Sequence, residues 1–121
     1  MNKRTLYFAR PANMEGSELE RDCIKLLLAK WENDTIVFSG DGAHLTAENV
    51  VVLPFPDGNW GTDEWNTANE ALKHRRRVWV IDPTTRDIRM VSSLPYDKRR
   101  LTSGQTLARL YFHDGSLRTQ V

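Results

Sequence analysis

Apolar residues fall along the chain in short bursts separated by polar, glycine- and proline-containing stretches. Thr5-Leu6-Tyr7-Phe8-Ala9 is a near-continuous apolar run closed by Arg10-Pro11. A run this short without polar alternation predicts a strand buried on both faces. Ser17-Glu18-Leu19-Glu20 then has the capping-box form, with Ser17 at the cap and Glu20 reaching back. Leu19, Cys23, Leu26 and Leu27 follow at spacings of three and four, while Glu18, Arg21, Asp22 and Lys25 fall on the other side. This predicts an amphipathic helix of about four turns, ended by Trp31-Glu32-Asn33-Asp34. Thr35 to Phe38 predicts a second strand, and Ser39-Gly40-Asp41-Gly42 is turn chemistry. Asn49 to Leu53 is a third strand, rich in the β-branched residues that suit a buried sheet. Pro54 to Gly61 cannot continue it. Thr62 reads as an N-cap, with Asp63 and Glu64 in the first turn, where carboxylates favour the dipole. Trp65, Ala68, Ala71 and Leu72 give that helix its apolar face, and Val78 to Ile81 predicts a fourth strand.

The last third reads differently. Asp82 to Asp87 predicts a turn, Ile88 to Val91 an antiparallel return, and Pro95 to Arg100 a basic connector. Ser103 to Leu110 reads as a short helix, and Leu110-Tyr111-Phe112 and Leu117 to Val121 flank a hairpin-like turn at His113 to Ser116. Strands alternating with helices predict an α/β fold: a small, doubly wound, mainly parallel sheet of four or five strands, Rossmann-like or flavodoxin-like. The expected organisation is a single domain over 1–121, with a core at 1–82 and a mixed C-terminal extension at 83–121. Ligands of such sheets sit beyond the carboxyl ends of the strands, where the loops 9–16 and 54–62 fall.

Composition narrows the function classes without naming one. The chain has 121 residues and 17 Lys+Arg against 16 Asp+Glu, a formal charge of +1. A chain of this length buries enough surface to fold without disulfides or metal. The even charge balance argues against nucleic acid as a partner. Arg75-Arg76-Arg77 and Lys98-Arg99-Arg100 are the exceptions, and the first has a helix-dipole explanation. No apolar stretch approaches the roughly 20 residues of a membrane span, and Met1 to Arg4 leads into no signal core. One cysteine, Cys23, excludes an internal disulfide, so a reducing cytoplasm is the simplest home. His44, His74 and His113 lack ligand spacing, so no metal is expected. No Walker-type Gly-Lys-Ser/Thr and no Gly-x-Gly-x-x-Gly after the first strand are present, and no cofactor is indicated.

The segment richest in chemistry is the second of the two loops. Asp57-Gly58 follows the third strand, and Gly61-Thr62 opens the next helix. Glycines let backbone approach a ligand closely, and a helix start offers N–H groups to an oxyanion or phosphate. Trp60 and Trp65 offer flat surface for a base or sugar, although a tryptophan at helical spacing is more often core. Asp57 and Glu64 are carboxylates, able to act as nucleophile or general acid at an anomeric carbon. Taken singly, Asp-Gly is more often a plain turn and Thr62-Asp63-Glu64 a well-capped helix start. Arg10, in the first loop, can clamp a phosphate, although an arginine there is more often a solvated or ion-paired loop residue.

The run Tyr7-Phe8-Ala9-Arg10-Pro11, then Val50 to Leu53, then Asp57-Gly58-Asn59-Trp60-Gly61-Thr62, then Arg77 to Ile81, resembles the nucleoside 2-deoxyribosyltransferase-like superfamily over residues 5–82. The resemblance implies a small doubly wound sheet and self-association into dimers or larger rings. It implies nucleoside contact by Asp57, a loop role for Gly58, Gly61 and Thr62, and attack on the anomeric carbon by a glutamate of the following helix. The superfamily's Gly-Thr-x-x-Glu spacing falls here on Trp65, so Glu64 and Glu70 are both candidates for that glutamate. The expected function is recognition of a nucleoside or nucleotide, with cleavage or transfer at its N-glycosidic bond. Two alternatives stay open: a nucleotide-binding module without chemistry, and a small accessory interaction protein of a phage or mobile element.

Overall fold

The computed structural model describes residues 4–11, 14, 16–38, 42–55 and 59–94, and the backbone alone at 100–101, 110–111 and 117–118. In chain order the elements are β1 (Thr5–Ala9), α1 (Glu18–Lys30), β2 (Thr35–Val37), α2 (Ala43–Thr46), β3 (Asn49–Val52), β4 (Trp60–Gly61) and α3 (Thr62–Lys73). These are followed by β5 (Arg77–Ile81), β6 (Ile88–Val91), β7 (Arg100–Leu101), β8 (Leu110–Tyr111) and β9 (Leu117–Arg118). A five-stranded sheet runs in the order β2-β1-β3-β5-β6. Its first four strands are parallel, and β6 returns antiparallel to β5. The fifth strand therefore comes from beyond residue 82, as the apolar pattern at Ile88 to Val91 predicts.

Alternation along the strands sorts the core into two layers. Leu6 and Phe8, with Val51, Leu53 and Ile81, pack under Leu19, Cys23 and Leu27 of α1. Val50, Val52 and Val78 face the other way, with Trp60, Trp65, Ala68 and Ala71 of the β4–α3 segment. One long helix thus covers each face. β3 lies between its partners and is buried at all four positions, which explains its unbroken Asn-Val-Val-Val sequence. Its polar residue, Asn49, accepts a hydrogen bond from Trp79 Nε1 at 3.0 Å, which satisfies its burial.

The capping expectation at α1 holds for Ser17, whose hydroxyl accepts from the Glu20 backbone N–H at 3.1 Å. The Glu20 carboxylate reaches one residue further back, to the Gly16 N–H at 3.0 Å, while the Ser17 N–H donates to the Met14 carbonyl. At α3 the start shifts by one residue. Gly61, not Thr62, is the N-cap, and no side chain of the cap closes the first turn. Thr62 becomes the first helical residue, which places Glu64 third in the helix, where a glutamate can fold back over the terminus. Two short elements, α2 and β4, carry no hydrophobic period that would announce them. The extension also reaches the core, because β7 pairs in parallel with β4 immediately before α3. β8 and β9 pair antiparallel around the expected turn. The turn itself, the connector at 95–99 and the expected helix at 103–109 lie outside the described residues.

Candidate functional site

Beyond the carboxyl ends of β1 and β2, against the first turn of α3, lies a cavity of about 150 Å³. Tyr7, Ala9, Arg10, Phe38, Asp63, Glu64 and Thr67 line it. β1 delivers Tyr7 and Ala9 on its α3-facing side, and the chain places Arg10 one residue past the strand end. Phe38 follows β2 in the same way. Helical spacing aligns Glu64 with Thr67, three residues on. The loop leaving β1 and the helix entered from the β3 loop therefore meet at one place, bringing Arg10 and Glu64 to a shared cavity.

Glu64 is 7% exposed and makes no ion pair among the described residues. Its carboxyl is held above the ordinary carboxylate value, first by burial; a hydrogen bond from its own backbone N–H and the charge of Arg10 pull the other way, and Asp63 adds to the rise. The carboxyl lies so close to Gly61 that a Cβ there would overlap it. The φ of Gly61, −70°, is open to any residue, so what the glycine provides is room for this posture of the Glu64 carboxyl. Tyr7 is likewise pushed up by burial, with Arg10 opposing and Glu64 reinforcing. Tyr7 and Glu64 thus resist ionisation, and Asp63 and the Arg10 cation share the wall with them.

That cation is already engaged. Arg10 Nε lies 2.5 Å from Glu20 Oε2, in a pair whose side chains are 14% and 8% exposed. Glu20 also accepts from the Gly16 N–H at 3.0 Å, and the Arg10 guanidinium lies 4.7 Å from the centre of the Phe38 ring. Glu20 neutralises Arg10, and Phe38 and Glu20 together fix its plane. An anion arriving here meets an oriented donor fork with little uncompensated charge.

The other residues singled out in the sequence lie elsewhere. Glu70 is six residues from Glu64 and does not line the cavity; its half-exposed carboxylate lies 3.3 Å from His44 Nε2. Trp60 and Trp65 are 2% and 3% exposed and meet edge to face, with centroids 5.6 Å apart. Their surface is occupied by each other and by the α3-side core. Thr62 is the first residue of the helix rather than its cap. Asp57 and Gly58 lie outside the described residues. A larger recess of about 530 Å³, bordered by Trp60, Pro54, Val80 and Arg89 among others, has neither Glu64 nor Arg10 in its wall.

Tyr7, Glu20 and Phe38 were not among the sequence candidates. Tyr7 had a readable signal, a polar-tipped side chain in an otherwise apolar strand. Glu20 reads from sequence as the second half of a capping box, but its carboxylate bonds the Gly16 N–H and Arg10 instead of the cap N–H; nothing local announces its pairing with a residue ten positions earlier. Among the described residues, no helix is long and apolar enough to cross a membrane, and no group of three or more His, Cys, Asp or Glu could hold a metal ion. No family model matches the chain, and no curated protein or solved structure matches it.

Proposed function

We propose that the cavity beside Glu64 binds a nucleoside or nucleotide through its sugar, and that Glu64 acts at the anomeric carbon to cleave or transfer the N-glycosidic bond. The observation that carries this reading is the shared wall: a buried, ion-pair-free carboxyl, a fixed guanidinium and a phenol beyond the carboxyl ends of parallel strands. The order β2-β1-β3-β5 reverses direction between β1 and β3, and we read it as the flavodoxin-like kind of doubly wound sheet, whose ligands gather at that reversal. The resemblance at Tyr7 to Pro11 and at Gly61-Thr62 supports the same substrate class.

In this scheme the ionised Glu64 attacks C1′, and the bonding pair of the C–N bond leaves with the base, which takes up a proton. Water or a second base then displaces Glu64 from C1′, returning the carboxylate. Desolvation makes the carboxylate a stronger nucleophile, and Arg10 limits the cost of ionising it.

A second reading, binding without turnover, is favoured by the posture of Glu64. Its carboxyl is turned back on its own helix terminus, one residue before the position the superfamily spacing predicts. Incubation with a panel of 2′-deoxynucleosides and their monophosphates, followed by chromatography for free base, separates the two. Under the first reading free base appears, and Glu64→Gln lowers its rate at least about a hundredfold, while Glu70→Gln leaves it intact. A rise in melting temperature with nucleotide but no free base establishes the second. The absence of both signals overturns both readings.

A further inference from the structure

We propose that Phe38 is the platform on which the base of the bound nucleotide stacks, an assignment that rests on the nucleotide reading of the Glu64 cavity. The argument begins with size. At about 150 Å³ the cavity is well below the roughly 300–1,000 Å³ that encloses a whole ligand of nucleoside size or larger. With the sugar brought to Glu64, the base extends out through the mouth. What borders the mouth then decides which base is held.

Phe38 meets that requirement better than the tryptophans do. It is 37% exposed, against 2% for Trp60 and 3% for Trp65, and it lines the cavity that contains Glu64. Its ring is held by two neighbours: it is tilted 52° against Phe8 with centroids 6.1 Å apart, and the Arg10 guanidinium lies over it, 4.7 Å from its centre. A ring so fixed loses little further freedom when a base covers its open part. An isolated exposed phenylalanine needs no explanation. This one shares a wall with the carboxyl and the cation; the guanidinium lies over one face of the ring, so a base can stack only on the part that Arg10 and Phe8 leave open.

The test is calorimetric titration of the four common 2′-deoxynucleoside 5′-monophosphates into the wild type, Phe38→Ala, Phe38→Leu and Phe38→Trp, with melting curves confirming that each variant is folded. Stacking predicts that alanine and leucine each weaken binding roughly 5- to 150-fold, the range a base–aromatic stack supplies, and that tryptophan restores it. Leucine preserves the apolar contact with Phe8, so it gives the answer even where alanine fails to fold. Binding that survives in the leucine variant overturns the role of Phe38 and leaves the nucleotide reading standing. A folded wild type that takes up none of the four overturns the nucleotide reading, and this assignment with it.

Discussion

Two glutamates in this protein occupy matching positions and meet opposite fates. Glu20 and Glu64 are each the third residue of a long helix, one on each face of the sheet, and they are 6% and 7% exposed. Both lie near Arg10, which ion-pairs with Glu20 and lines the cavity with Glu64. Glu20 has the guanidinium, the Gly16 N–H and a serine-capped turn. Glu64 has a glycine cap, its own backbone N–H and a cavity. Equal burial therefore makes one carboxylate a structural strut and leaves the other short of partners. Burial by itself does not mark a reactive group: Cys23, enclosed under α1, has its thiol pushed up to about 12 by desolvation, which makes it inert.

The largest effect expected from this contrast is on Glu20. Replacing it with alanine leaves the part-buried Arg10 without its counter-charge, and unfolding in denaturant should show a loss approaching the roughly 3–5 kcal/mol of a fully buried pair. A loss below about 1 kcal/mol, the value of an exposed pair, would erase the difference between the two glutamates.

Glu64→Gln should act in the opposite direction and depend on pH. The folded state raises the carboxyl above its ordinary value of 4.5, so its contribution is fully present below that value and is lost as pH rises through the raised one. The glutamine variant does not titrate. Its melting temperature should exceed that of the wild type at neutral and alkaline pH, where about 4 °C corresponds to each kcal/mol for a chain of this length, and the gap should close on acidification. A gap that is constant with pH would show that Glu64 does not titrate differently on folding.

The smallest effect on stability, and the most specific, is expected for Gly61→Ala. The added Cβ overlaps only the tip of a flexible side chain, so the carboxyl should swing aside at a cost below about 1 kcal/mol. Released toward water, Glu64 should lose its raised affinity for protons, and the pH-dependent gap above should disappear in the Gly61→Ala background. Persistence of the gap would mean that the carboxyl does not rest against Gly61.

The strands and long helices were legible from sequence because each has a local cause. Leu6, Phe8, Val50 to Val52 and Val78 to Ile81 are apolar runs, Ser17 is a good cap, and Leu19, Cys23 and Leu27 keep the helical period. The candidate site was legible in part. Arg10 and Glu64 were readable because loops after parallel strands collect at one edge. That Glu70 stands off the cavity wall follows only from the turn at which α3 starts, and the burial of Trp60 and Trp65 only from what packs over them. Residues 43–46 and 60–61 form elements too short to leave a period in the sequence.

By itself, then, the sequence determined where the chain extends, where it coils and which side chains turn inward, because those follow from steric preference and from the spacing of apolar residues over a few positions. Tertiary structure alone decided which charges meet. Arg10 chose Glu20 across a turn, and Glu64 came to rest over Gly61, because electrostatic energy falls off over a few ångströms and those distances exist only once the sheet has closed.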